Sequence, residues 1–180
     1  VEYVVSNFQD KQDWTPPYLS PQQLFQEKEG NSWDFAIFIS YLLDFHGYKT
    51  QMLRFEVALD GVAAGHDIIV IYQDADDSFR SIFHGIQLVR ETHVTLGDLI
   101  KYLEEMRSRG RKSEATITRY GFIKPGATDL RPIKWLKFPF DDPDEALENQ
   151  MKLEVFQAML QTLPEEVDFQ EIVNLLDKPE

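Results

Sequence analysis

Ser32 and His66 are the two residues whose types and placing could do chemistry. Ser32 stands in Gly30-Asn31-Ser32-Trp33-Asp34-Phe35-Ala36, where small and polar residues lead into a long apolar stretch. A nucleophile at the start of a helix lies beside unpaired N–H groups and at the positive end of the helix dipole. A thiolate there is stabilised and its pKa falls. A histidine from elsewhere in the fold then takes the proton, and a third polar group fixes that ring. His66 opens the run "HDIIVIYQ" behind "AAG" and suits that task. The next run, "SFRSIFHG", would bring Ser81 or His84 up as the third member, and the acidic turn Asp74 to Asp77 offers a carboxylate instead.

These residues need elements to hold them. Ser20-Pro21-Gln22-Gln23 predicts a helix with a serine cap, proline in the first turn and a capping-box glutamine, running to about Lys28 and ending at Gly30. The second helix starts at Asn31 or Ser32 and ends before Gly47; it is apolar on much of its circumference, which predicts burial on several sides. In "YKTQMLRFEVAL", Met52, Arg54, Glu56 and Ala58 alternate with Leu53, Phe55, Val57 and Leu59, the pattern of a half-buried strand. "DGVAAG" is expected as a loop, "HDIIVIYQ" and "SFRSIFHG" as a hairpin across an aspartate-rich turn. "TLGDLIKYLEEMRSRG" predicts a surface helix capped by Thr95, and "EATITRYGFI" and "PIKWLKFPF" two more strands. Two amphipathic helices are expected between about Asp142 and Leu176, parted near Leu163-Pro164. Helices first, then adjacent strands, then helices predicts α+β with an antiparallel sheet. The expected organisation is one domain over 1–141 and a helical extension over 142–180 packed on it.

The formal charge of −13 disfavours nucleic acid and anionic lipid as partners. No apolar run approaches a membrane span, so no membrane insertion is expected. The chain starts at Val1, which fits removal of a leader and slightly favours an extracytoplasmic place. With no cysteine there is no disulfide framework or thiolate metal site.

"GNSWDFA" resembles the nucleophile motif of the transglutaminase-like superfamily, in which a small residue, a polar residue, cysteine, often tryptophan, and then Phe-Ala open the catalytic helix. The Cys-Trp step is shared with the wider papain-like group. The order of helix, strand, loop, histidine strand and following strand is similar too, over roughly residues 14–90, with the short spacing of compact bacterial and archaeal members. The resemblance puts Ser32 at the cysteine and His66 at the histidine. It implies a papain-like α+β fold, with the catalytic-type helix packed on an antiparallel sheet. It also implies cofactor-free acyl transfer or amide hydrolysis on a peptide or protein. The N–H of residue 32 would help hold the oxyanion.

The chain departs from that pattern twice. Position 32 is Ser, and Phe79-Arg80-Ser81-Ile82-Phe83-His84 has no acid for the third place. Two readings follow: an acyl-transfer enzyme impaired because serine replaces its cysteine, or a natural non-catalytic module that binds a peptide or protein. Trp33, Trp14 and Asp34 are candidates for the cleft. Trp33 also reads as core, and Asp34 as a carboxylate favourable at a helix start. His46, His84 and His93 form no metal-ligand spacing, and the cluster Arg107, Arg109, Arg111 and Lys112 reads as a solvated helix end or an anion site.

Overall fold

The computed structural model describes residues 6–11, 15–83, 87–110, 112–132 and 134–162. Trp14, His84, Arg111 and the second expected tail helix lie outside the described residues. The lead-in forms β1 (Gln9–Asp10), which pairs in parallel with β2 (Glu29–Gly30). Between them, α1 (Pro21–Glu27) has the expected capping box of Ser20 and Gln23. It ends on Lys28 in the left-handed region (φ 58°), not at Gly30. Gly30 serves another need: a Cβ there would lie 2.6 Å from Leu24 Cδ1 and 3.0 Å from Asp34 Cβ.

The buried helix is α2 (Ser32–Phe45), with Asn31 as its N-cap. Every residue from Ser32 to Ser40 is buried, as an all-round apolar helix requires. It is followed by β3 (Thr50–Leu59) and β4 (Val62–Gln73), an antiparallel pair turned by Asp60 and Gly61 alone, both at positive φ. Two such residues make the hairpin turn that matches strand twist. The strand therefore starts at Val62, and the expected loop "DGVAAG" is reduced to its first two residues. His66 lies inside β4 rather than at its beginning.

Next come β5 (Phe79–Phe83), β6 (Gln87–Leu88), α3 (Leu96–Ser108), β7 (Ala115–Ile123), β8 (Leu136–Lys137) and α4 (Pro143–Thr162). Among the described residues of "PIKWLKFPF", only Leu136–Lys137 is strand. The main sheet runs β6-β5-β4-β3-β7-β8 with antiparallel pairing throughout. The fold is α+β, as the element order predicts.

Alternation decides what each strand residue touches. Met52 on β3, Ile68 and Val70 on β4 and Ile82 on β5 share one core cluster with Trp33, Phe35 and Phe38 of α2. Residues of opposite parity, Leu53, Phe55, Ile69 and Ile71, are also buried, on the face that carries α3. There Glu104 accepts a 2.6 Å hydrogen bond from the Ile117 N–H, and Arg107 pairs with Asp67. β3 is thus a central strand covered on both faces along its first half, not half-buried. Each large apolar side chain so enclosed contributes roughly 1.5–3 kcal/mol.

Close approach shapes the far edge. A Cβ on Gly121 of β7 would lie 2.5 Å from Pro132 Cβ and 2.7 Å from the Lys134 carbonyl oxygen. Pro132 and Lys134, which follow β7 in the chain, lie against its strand there. Ser40 ties the loop after β7 to α2: its Oγ accepts from the Gly126 N–H at 3.0 Å. By contact density the chain divides into two compact units, Val1–Asp144 and Glu145–Glu180. In the second, Lys152 pairs with Glu148 one helical turn away at 2.6 Å.

Candidate functional site

α2, β3 and β4 converge on an open cleft of about 360 Å³ within the first unit. Trp33 projects into it from the first turn of α2, Arg54 from β3 and His66 from β4; Pro16 to Tyr18 and Thr128 to Arg131 form its rims. The Trp33 ring stacks on Tyr18 at 5.3 Å and meets the His66 ring edge-on at 5.3 Å. Trp33 is thus both core and cleft wall.

The start of α2 is closed by its own caps. Asn31 Oδ1 accepts from the Trp33 N–H (2.8 Å) and the Asp34 N–H (3.1 Å). Asp34 Oδ2 accepts from the Asn31 N–H at 2.9 Å, and Oδ1 from the Leu19 N–H at 2.7 Å. Asp34 is therefore a capping carboxylate that also moors the proline-rich lead-in. It is buried and does not line the cleft. The first-turn N–H groups of residues 33 and 34 are already engaged, so they are not presented to a developing oxyanion.

Ser32 is only 4% exposed, does not line the cleft, and its Oγ has no hydrogen-bond partner among the described residues. The ring that meets His66 is that of Trp33, and Ser32 Oγ makes no hydrogen bond to the imidazole. The alternative third members are not beside His66 either. Ser81 pairs with Ile71, which has the parity opposite to His66, so Ser81 lies on the α3 face of the sheet. Its Oγ is fully buried there without a hydrogen-bond partner among the described residues. Asp74 and Asp77 sit beyond the far end of β4, roughly 25 Å away at about 3.3 Å per residue. They are engaged with Arg80 and Lys49.

The carboxylate directly across from His66 is Glu56, on the preceding strand rather than the following one. It accepts two 2.6 Å hydrogen bonds from Arg119 on β7, which hold its carboxyl below the usual range. Arg119 also lies 4.6 Å from the Trp135 ring centroid. Arg54 shares that face. Its guanidinium lies 5.5 Å from the Trp33 ring and 5.7 Å from the Trp135 ring, and its Nη1 donates to the Leu130 carbonyl at 2.7 Å. Such distances give attraction between cation and ring face. Burial, then the Arg54 charge, push the His66 pKa down against the pull of Glu56. Burial raises Tyr18. On the rim, hydrogen bonds from Arg131 hold Asp129 down at about 2.

Arg54, Glu56, Arg119, Trp135 and Tyr18 were not among the expected site residues. The available signal was parity: Arg54 and Glu56 share one face of β3, and the hairpin turns that face toward His66. Of the basic cluster, Arg107 is engaged with Asp67 and lies 4.9 Å from the Phe83 ring, and Arg109 lies 5.7 Å from the Tyr102 ring. No group of three potential metal ligands occurs among the described residues. No helix among them is long and apolar enough to cross a membrane. No protein-family model and no curated protein matches this chain.

Proposed function

We propose that this chain is a non-catalytic peptide- or protein-binding module on a degenerate transglutaminase-like fold. The observation that carries the reading is the split at the start of α2. Trp33 faces the cleft with His66 and Arg54, while Ser32 is buried and does not line it. An aromatic wall, a fixed cation and an imidazole suit the recognition of a peptide. Serine is also a poor nucleophile unless a base touches it, and no histidine among the described residues bonds Ser32 Oγ.

A second reading has one specific observation in its favour. Residue 32 directly precedes Trp33, whose ring touches His66. On that reading the chain is an acyl-transfer enzyme impaired by serine. Alkylation of a Ser32→Cys variant separates the two. The binding reading expects iodoacetamide at neutral pH to label that thiol no faster than free glutathione, with no change on adding His66→Ala. Labelling faster than glutathione, and lost with His66→Ala, overturns it in favour of the enzyme.

A further inference from the structure

Arg54 is the unusual group in the cleft. In a chain of net charge −13, it has no ion-pair partner among the described residues. Its neighbours explain why. The two carboxylates whose charges reach it, Glu56 and Asp129, are each held in two-pronged contact by another arginine, Arg119 and Arg131. Arg54 keeps one backbone carbonyl and two indole rings, and its Nε has no acceptor among the described residues. A half-buried guanidinium without a counter-charge is unfavourable unless something else neutralises it.

Resting on the binding reading above, we propose that the cleft recognises a peptide carboxylate, with Arg54 as the charged anchor and the Trp33–Tyr18 stack as the wall for the neighbouring side chain. Guanidinium geometry matches a carboxylate in two parallel hydrogen bonds. A single uncompensated cation suits a monoanion. A phosphate dianion would meet the Glu56 and Asp129 carboxylates with one unpaired guanidinium, Arg54, among the described cleft residues to offset it. The carboxylate can be a chain terminus or an acidic side chain; the chemistry at Arg54 is the same.

The test uses the full chain and tryptophan fluorescence. The probes are an acetylated glycine-phenylalanine-alanine peptide with a free carboxyl terminus, its terminal amide, and an amidated version with glutamate replacing glycine. The free acid or the glutamate peptide is expected to bind roughly tenfold or more tightly than the neutral amide. Whichever of the two does so identifies the source of the carboxylate. Arg54→Gln, which keeps a donor for the Leu130 carbonyl, is expected to abolish that preference. In the unaltered chain the preference should also shrink with added salt, which needs no variant to fold. Equal binding of acid and amide overturns the carboxylate inference and leaves the binding reading standing, as does tighter binding of a phosphoserine peptide. Failure of both carboxylate peptides to bind at millimolar concentration overturns the inference too. The binding reading itself falls separately, by fast His66-dependent labelling of Ser32→Cys.

Discussion

Ser32 and Asn31 are neighbours with opposite energetic roles. Asn31 satisfies two first-turn N–H groups and receives Asp34 in return, so it fixes where α2 begins. Loss of such a cap costs about 1–2 kcal/mol. Asn31→Ala should therefore lower the melting temperature, by about 2–4 °C per kcal/mol in a chain of this size. Ser32 has a buried hydroxyl with no hydrogen-bond partner among the described residues. Removing an unmatched polar atom relieves a desolvation penalty. Ser32→Ala should leave the melting temperature unchanged or raise it, within about 1 kcal/mol. Thermal denaturation of the two variants side by side checks both. A large loss for Ser32→Ala would mean that the hydroxyl has a structural partner.

Among elements, α3 carries the clearest titratable contact. Glu104 reaches across to the Ile117 N–H of β7, and burial raises its pKa. In the window between the ordinary and the raised pKa the native chain binds more protons than the unfolded one, so stability falls as pH rises through it. The penalty is complete at neutral pH. Glu104→Gln keeps an acceptor without the charge and should raise the melting temperature at pH 7, with the gain shrinking on acidification. Glu104→Ala strands the Ile117 N–H and should cost about 1–3 kcal/mol. Melting curves across pH for both variants test this.

The elements were legible where local chemistry fixes them. The capping box of Ser20 and Gln23 marks the first helix and the apolar run after Asn31 the second, while Asp60-Gly61 alone makes the turn that "DGVAAG" reads as a longer loop. The order of elements predicts that Ser32 and His66 face each other; the ring that meets His66 is that of Trp33. What escaped was tertiary. Alternation showed that Arg54 and Glu56 share a face, but not that the loop carrying Leu130 folds over it, 76 residues downstream. The face that Ser81 takes is tertiary too: hairpin register sets it through the pairing with Ile71, and composition does not.

At the scale of the molecule, the first compact unit ends at Asp144, and that last residue matters to it. Asp144 accepts from the Leu96 N–H at 2.7 Å and from the Gly97 N–H at 3.3 Å, holding the start of α3. A chain cut after Asp144 should melt in one cooperative transition with its sheet signal in circular dichroism intact. A cut two residues earlier should lose about 1 kcal/mol, the worth of such a cap. A non-cooperative melt for the longer fragment would show that the unit is not self-sufficient.

Gly121 bears on the same unit in another currency, that of heredity. Every amino acid that a codon change can put there, apart from glycine itself, brings a Cβ into the space of Pro132 and the Lys134 carbonyl. No missense change is conservative at this position, however small. A library of all single substitutions, selected for cleft binding, should return position 121 as uniformly depleted, whereas Gly97, whose added Cβ meets nothing closer than 3.7 Å, should accept alanine. The shape of the recognition face would then be inherited partly through an atom that the chain does without.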